Sequence, residues 1–340
     1  LLRNEKNSTA LNICLILSVP AAMIISLSIG RYSIPLETLF CLVLSIFTDM
    51  DKTCSDAVEI VFFQIRMPRI IAAFFVGASL SASGAVFQGI FKNPLISPDI
   101  LGVSYGAGFG AALAILLTNG GIYLHLSAAF FGLLAVGTAC LIAKMFKGIP
   151  VLVLVLSGII VGAFFQALLS CLKYIADPYD KLPSIIFWLM GSLAKVSSDE
   201  LYWSVPILSA GLIVLCMCRW RINILSMGEE EAMSLGVSIA AERGAVILLC
   251  TVVSCIAVCL AGTISWVGLV IPHVARLIAG SDYRRLLPAS ICLGGTYVIL
   301  IDNIARTISV NEIPLGILTS LIGAPFFALL LIKRKAGWQG

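Results

Sequence analysis

The chain has 340 residues, of which 60% are hydrophobic and only 12% are charged, and its mean hydropathy is +1.06. Soluble globular domains carry about 25% charged residues, so this composition excludes an ordinary soluble fold and indicates an integral membrane protein. The formal net charge of +4 comes from scattered basic residues without a long Lys/Arg run, which argues against a nucleic-acid partner.

Apolar stretches of about 20 residues recur along the whole chain, each long enough to cross a hydrocarbon core of about 30 Å. We therefore predict an all-α membrane protein with one polytopic domain over residues 1–340. An even number of spans puts both termini on one side, and most of the 22 Lys and Arg residues then face the cytoplasm, as the positive-inside rule requires. About ten transmembrane helices are expected, at 10–29, 69–91, 104–118, 125–144, 150–172, 201–218, 243–262, 264–280, 287–304 and 314–332.

Two segments on the predicted outer side, residues 30–68 and 173–200, are long enough to form structure of their own. The second contains IIFWLMGSLA, which is too short to span and suits a half-inserted helix with Trp188 at headgroup depth. Most of the 11 cysteines lie inside apolar runs, so we expect free buried thiols and no disulfide framework.

A broken segment separates the second and third spans. Asn93-Pro94 and Ser97-Pro98 interrupt the helical pattern, and Gly102 opens a glycine-rich run. Such a segment is tolerated at membrane depth only where protein or a water-filled cavity covers it, so it predicts a translocation path. In the second span, Gly77 and Gly84 have the small-residue spacing that lets helix backbones approach closely.

Several blocks resemble the FecCD-type permeases, the membrane subunits of ABC importers for iron-siderophore complexes, haem and cobalamin. The resemblance rests first on the run from Gly77 to Ala107, with its Gln88, NPL and LG elements, and covers about residues 60–332. Further blocks follow in order: QIRMPR at Gln64–Arg69, FWLMGSL at Phe187–Leu193, GTISWVGLVIPHVARLIAGSDYRRLLP at Gly262–Pro288, IDNIAR at Ile301–Arg306 and EIPLGILTSLIGAP at Glu312–Pro325.

The acidic segment SMGEEEAMSLG at Ser226–Gly236 takes its predicted role from this resemblance. In the family, two short helices in this cytoplasmic loop, here at about residues 222–240, dock into a cleft of the ATPase subunit. Carboxylates in the first turn would favour the positive end of a helix dipole, although a solvated helix start has the same composition. The resemblance implies docking through Gly228, Glu229, Glu230, Glu231, Ala232, Leu235 and Gly236.

The resemblance also implies a docking site on the outer side. Arg66, Arg69 and Arg306 match positions at which outward-facing arginines pair with glutamates of a substrate-binding protein. Charge pairs at a rim would steer docking more than they strengthen it. From the residues alone, arginines beside a membrane are interfacial anchors, and Asp302 lies one helical turn before Arg306, in position to pair with it.

The inner gate implied by the resemblance lies in KGIPVLVLVLSG at Lys147–Gly158. The cobalamin member has a small polar pair there, whereas this chain has apolar residues, which can close a path by dewetting. The predicted path and gate residues are Gly84, Gln88, Asn93, Pro94, Gly102, Pro150, Val151 and Leu152.

The resemblance therefore implies the permease subunit of an ABC importer for an iron-siderophore, haem or cobalamin-type chelate, in a bacterial or archaeal cytoplasmic membrane. The chain has no GxxxxGK[ST] loop, so ATP and Mg are expected on two copies of a separate ATPase subunit and the chain is not expected to be an enzyme. Its other expected partners are a second permease copy, an extracytoplasmic substrate-binding protein and membrane lipid. No metal or cofactor is expected, because no Cys/His cluster accompanies the 2 histidines.

Two other functions fit the composition. An ion-coupled secondary transporter needs ionisable groups near the bilayer midplane, but the spans at 104–118, 150–172 and 243–262 have none in their interiors. An intramembrane hydrolase would need a serine such as Ser83 or Ser157 with His273, and no motif joins these residues.

Overall fold

The computed structural model describes residues 2–30, 32, 34–45, 55–118, 120–146, 151–227, 239–309 and 311–335. Every regular element within these residues is helical. The helices are α1 (Leu2–Ser28), α2 (Leu36–Ser45), α3 (Asp56–Ile90), α4 (Val103–Leu117), α5 (Ile122–Lys144), α6 (Val151–Ile175), α7 (Lys181–Leu189), α8 (Ser198–Met217), α9 (Arg219–Met227), α10 (Ile239–Ala261), α11 (Val267–Ala279), α12 (Tyr283–Ile308) and α13 (Leu315–Lys335).

The described residues include six helices that are long and apolar enough to cross a membrane, so the chain is a multi-pass membrane protein. These segments are Asp56–Ile90, Ile122–Lys144, Leu152–Ile175, Ser198–Met217, Ala241–Ala261 and Tyr283–Ile308. The other four predicted spans coincide with shorter apolar helices at Ile13–Ser28, Val103–Leu117, Val267–Ala279 and Leu315–Leu330. The count of ten spans and the cytoplasmic termini stay predictions.

Helix α3 begins earlier than the sequence indicated. It starts at Asp56, so the end of the predicted outer segment 30–68 is helical and continues directly into the span. Proline is common in the first turn of a helix, so from the sequence Pro68 would suit a helix start. In the structure a π-helical stretch, Ile60–Arg66, precedes it, and this wider turn carries the helix past a residue that has no N–H to donate.

The predicted outer segment 173–200 contains the expected short helix, α7, which ends at Leu189. Gly191 then turns the chain with a φ of 72°, a conformation that favours glycine. The carbonyl oxygen of Gly191 accepts a hydrogen bond from the N–H of Leu315, and that of Met190 accepts one from the N–H of Gly316. These bonds fasten the end of α7 to the start of α13.

Close glycine contacts pack α3 against two neighbouring helices. A Cβ on Gly77 would collide with the carbonyl oxygen of Gly294 on α12, and one on Gly84 would collide with that of Gly268 on α11. The predicted close approach of helix backbones is therefore confirmed. Gly84 is buried against the backbone of α11, and its assignment to the path stays a prediction.

Helices α3 and α12 run antiparallel and define the two ends of the bundle. Arg69 bonds Asp302 at one end, and the hydroxyl of Tyr283 donates to the carbonyl oxygen of Ala85 near the other. We call the first the arginine end. We call the second, where Lys92 and the start of α12 lie, the cavity end.

Candidate functional site

A buried charged cluster lies at the arginine end. Arg69 on α3 donates from Nε and Nη2 to both carboxylate oxygens of Asp302 on α12, over distances of 2.8 to 3.0 Å. Its Nη1 also forms an ion pair with Glu312, which precedes α13, at 2.9 Å. The Asp302 side chain is only 1% exposed, so this fork-like pairing satisfies a carboxylate that water does not reach.

The other two arginines are also held by this chain. Arg306 donates to the carbonyl oxygen and hydroxyl of Ser26 on α1 and to the side-chain oxygen of Asn303. Arg66 donates to the carbonyl oxygens of Leu27, in the last turn of α1, and of Tyr32, which follows that helix. The arginines thus fasten the end of α1 to α3 and α12.

The three arginines expected to face outward are buried within this chain, and their role in docking a binding protein stays a prediction. Arg66, Arg69 and Arg306 are 3%, 6% and 6% exposed, and each donates to acceptors of its own chain. The expected Asp302–Arg306 pair is also the weaker one, since Nε of Arg306 lies 4.0 Å from Asp302 while Arg69 lies within 3.0 Å. The sequence predicted that these residues lie at helix ends, but it did not predict that they lie inside the bundle.

The break between α3 and α4 occurs where the sequence predicted it. After Ile90 the chain forms one 3₁₀ turn, Pro98–Leu101, and Gly102 starts α4 with a φ of 89°. A Cβ on Gly268 would lie 2.9 Å from the carbonyl oxygen of Leu80 and 3.2 Å from Pro98, so the segment folds back toward the middle of α3. Protein covers Pro98, Leu101 and Gly102 at the end of this segment, whereas Lys92, Asn93 and Leu95 at its start are exposed. The assignment of Gly102 to the path stays a prediction.

A cavity of about 800 Å³ opens at the cavity end, between the end of α3, helix α9 and the junction of α11 with α12. Three of the predicted path residues, Gln88, Asn93 and Pro94, line it. Gln88 is 3% exposed, and its side-chain Nε2 donates to the carbonyl oxygen of Leu269 at 3.2 Å. Asn93 is exposed and accepts from the N–H of Leu95, which fixes the turn after α3.

Hydrogen bonds tie the three walls of this cavity to one another in pairs. The Nζ of Lys92 donates to the carbonyl oxygen of Met227 at 2.6 Å and joins the α3 end to α9. Asn223 on α9 donates to Asp282 at 2.6 Å and accepts from the N–H of Tyr283 at 2.9 Å, which joins α9 to α12. The Tyr283 hydroxyl reaches Ala85 at 2.6 Å and joins α12 to α3.

Asp282 caps the first turn of α12 at the cavity wall. Its carboxylate accepts from the N–H of Arg284 at 2.9 Å as well as from Asn223. The backbone hydrogen bond from Arg284, then the one from Asn223 and the nearby arginine charges, lowers the pKa of Asp282 from its ordinary value. The group therefore stays ionised and holds the α12 cap at neutral pH.

Several predicted site residues lie outside the described residues. These are the docking residues Gly228, Glu229, Glu230, Glu231, Ala232, Leu235 and Gly236 and the gate residue Pro150. Val151 begins α6, and Leu152 is exposed on the same helix. The docking and gate assignments stay predictions.

Comparison with known proteins identifies the family. A model of the FecCD transport family matches residues 16–333. The chain belongs to the FecCD transport family. It is 42% identical over 315 residues to the molybdate import system permease protein MolB of Haemophilus influenzae, covering 92% of this chain and 93% of that protein. It is also 42% identical over 280 residues to a probable iron chelatin transport system permease protein of Helicobacter pylori, covering 82% and 85% of the two.

A solved structure described as an inward-facing conformation of a putative metal-chelate type ABC transporter superposes on this FecCD chain with a TM-score of 0.85. The two are 40% identical, and the match covers 96% of this chain and 99% of the other. This FecCD chain is therefore a permease subunit of an ABC transporter and not an enzyme. Such permeases work with ATPase subunits, which hydrolyse ATP, and with substrate-binding proteins.

Sequence reasoning missed two polar side chains of this FecCD protein that join distant helices. Asn223 bridges α9 and α12, and His125 on α5 contacts Glu200 on α8 at 2.9 Å and the carbonyl oxygen of Cys259 on α10 at 3.0 Å. His125 is a single polar residue in an apolar stretch, and Asn223 lies in a short helix that also contains Arg219 and Arg221, so neither has a local signal and only the tertiary structure supplies their partners.

Proposed function

We propose that the chain is the membrane-spanning permease of an ABC importer that takes up a chelate delivered by an extracytoplasmic binding protein. A separate ATPase subunit drives the movement. The observation that carries this proposal is the match to a metal-chelate type ABC transporter over nearly the whole of both chains.

We place the cavity end in the cytoplasm of a bacterium or archaeon, with ten spans and both termini on that side. Lys92, Arg276 and Arg284 lie around the cavity, and the positive-inside rule assigns such a cluster to the cytoplasmic face. The arginine end then faces outward.

The proposed assembly has two permease copies and two ATPase subunits, and ATP and Mg²⁺ are bound by the ATPase subunits. Residues 228–236 follow α9 directly at the cavity end and are proposed to dock against the ATPase. Helix α6 exposes Leu156, Ile160 and Phe164 on one face, which suits contact with lipid and with a second permease copy.

The binding protein is proposed to dock at the arginine end, on surface that is free in this chain. The connection between α6 and α7 exposes Tyr179 almost fully, at 96%, and Asp180 next to it. Exposed tyrosines are frequent contact residues at interfaces. The three buried arginines would act behind this surface by holding the helix ends in place.

An iron chelate is the proposed cargo, with haem and cobalamin as related chelates, and the Helicobacter pylori relative carries an iron chelatin name. Molybdate is a second candidate, because the relative named for molybdate import covers 92% of this chain at 42% identity. Uptake of radiolabelled molybdate and of a radiolabelled ferric chelate by cells that express the whole system would separate the two.

The first experiment is purification of the tagged chain from its native membrane in mild detergent, followed by mass spectrometry. The expected result is one ATPase subunit per permease together with a binding protein whose cargo is identified by absorbance and metal analysis. A lone protein that moves a substrate down an ion gradient after reconstitution would refute the proposal.

A second experiment tests the docking segment. Replacing Glu229, Glu230 and Glu231 by Ala is expected to release the ATPase subunit and to stop uptake. Asp199→Ala removes an exposed carboxylate from the first turn of α8 at the arginine end and serves as the matched control. Retention of the ATPase by the triple variant would mean that the three glutamates only solvate a helix start.

A further inference from the structure

The cavity at the cavity end has a positive lining. Lys92, Arg276 and Arg284 face it, against the single carboxylate of Asp282. That carboxylate already accepts hydrogen bonds from Asn223 and from the N–H of Arg284. Within the described part of the chain, none of the three basic side chains forms an ion pair. Arg276 interacts with the hydroxyl of Tyr283, and the charge of Arg284 acts on Asp282, so Lys92 and Arg284 are the groups that a ligand in the cavity would meet.

The Lys92 ammonium is placed to meet a ligand in the cavity. Lys92 has a φ of 48° directly after α3, where its N–H donates to the carbonyl oxygen of Gly89 and the N–H of Asn93 donates to that of Gln88, a common way for a helix to end. Its ammonium uses one donor on Met227 and keeps two others for a partner.

The cavity also lies between two segments that the proposed function assigns to transport. On one side, Met227 is the last residue before the proposed docking segment. On the other, Asn93 and Pro94 belong to the broken segment that folds back toward the middle of α3. A group held in the cavity would therefore contact α9 and the broken segment together.

We propose that this cavity is a second socket for the ATPase subunit, which inserts an acidic side chain that pairs with Lys92 and Arg284. Movement of that side chain during ATP hydrolysis would then displace the broken segment directly, besides acting through residues 228–236. The inference rests on the proposed function, since it requires an ATPase partner. A carboxylate fits because the lining is positive and because the socket is continuous with the proposed docking segment.

The first test uses the intact complex of permease and ATPase with a zero-length carbodiimide, which joins an ammonium to a carboxylate only where they touch. Peptide mass spectrometry is expected to find Lys92 linked to an Asp or Glu of the ATPase. Lys144 is exposed at the same end of the bundle, outside the cavity, and is the internal control. Absence of a Lys92 link, while other permease–ATPase links form, would overturn the inference and leave the proposed function intact.

The second test measures ATP-driven uptake in proteoliposomes for the double variant Lys92→Gln/Arg284→Gln. Loss of both charges is expected to lower uptake about tenfold, while Lys92→Arg with native Arg284 retains it and Lys144→Gln changes it less than about twofold. The ATP hydrolysis rate of the assembled complex should fall less than uptake, since coupling is what the socket provides. Unchanged uptake in a monodisperse double variant would overturn the inference.

A lipid or a free anion in the socket is distinguished in the same preparations. Native mass spectrometry is applied to the wild-type permease alone and to the double variant, with added inorganic phosphate or with phosphatidylglycerol vesicles. The two proteins are expected to bind the same anions. Stoichiometric lipid or phosphate that disappears in the double variant would refute the ATPase carboxylate as occupant. If the purified wild-type chain has no ATPase partner, the proposed function and this inference fail together.

Discussion

The guanidinium of Arg69 on α3 binds both carboxylate oxygens of Asp302 on α12, and the two residues are separated by 233 positions in the chain. Both side chains are almost completely buried, at 7% and 1% exposure. The pair joins α3 and α12 at the arginine end of the bundle. A pair of this kind stabilises when complete and is costly when one member is lost.

Arg69→Ala is therefore expected to destabilise the protein by about 3 to 5 kcal/mol, because it leaves the buried carboxylate of Asp302 without its partner. The measurement is the free energy of unfolding in mixed micelles, followed by intrinsic fluorescence as denaturing detergent is added. The double variant Arg69→Met/Asp302→Leu should be more stable than either single variant, since the two buried charges of this pair are removed together. A single variant that loses less than about 1 kcal/mol would contradict a buried pair.

The contact between Gly77 and Gly294 predicts that the free energy of unfolding depends strongly on the size of the side chain at position 77. In Gly77→Ala the added Cβ meets backbone of α12, which cannot rotate away, so we expect a loss of about 1 to 3 kcal/mol. Gly137→Ala on α5 is the matched control, because nothing lies within 4 Å of an added Cβ there, and alanine favours a helix. Equal stability of the two variants would show that α3 and α12 can separate without cost.

Asp282 predicts a dependence of stability on pH at the cavity end. Its pKa is lowered from 3.8 in the folded protein, so its contribution is complete above that value and is lost as the pH falls through the lower folded value. Asp282→Ala removes the α12 cap and the acceptor of Asn223, and a lost cap costs about 1 kcal/mol.

The measurement compares the free energy of unfolding of the wild type and Asp282→Ala from about pH 7 to about pH 3. The difference should be constant near neutral pH and shrink only in the most acidic samples. A difference that disappears between pH 7 and pH 5 would assign the effect to another group.

The contacts of His125 predict that its side chain stabilises the packing of three helices, α5, α8 and α10. Its ring contacts Glu200 on α8 and the backbone of α10, so His125→Ala leaves a partly buried carboxylate without this donor. We expect a loss of about 1 to 3 kcal/mol in His125→Ala. In a double-mutant cycle with Glu200→Gln, a coupling energy above about 0.5 kcal/mol is expected. Additive effects would mean that the two side chains meet without a productive interaction.

The sequence by itself determined which parts of the chain are helical and which are broken. Apolar stretches of spanning length predicted helices at ten positions, and a helix is found at each, because in lipid every backbone group must be bonded within its own segment. The break after Ile90 followed from Pro94, Pro98 and Gly102 for an equally local reason. The start of α3 differs from the prediction. The span was expected to begin at residue 69, but the π-helical turn before Pro68 keeps the helix continuous from Asp56.

Only the tertiary structure decided which of these residues face a partner, a cavity or the interior. Arg69 and Arg306 at helix ends suggested a rim, but their acceptors come from residues far away in the chain and draw them inside. The spacing of Gly84 suited a close helix contact, but only the structure shows that its neighbour is the backbone of α11. The cavity arises because the end of α3, helix α9 and the start of α12 lie side by side. No local sequence pattern predicts this arrangement, since it depends on how whole helices pack.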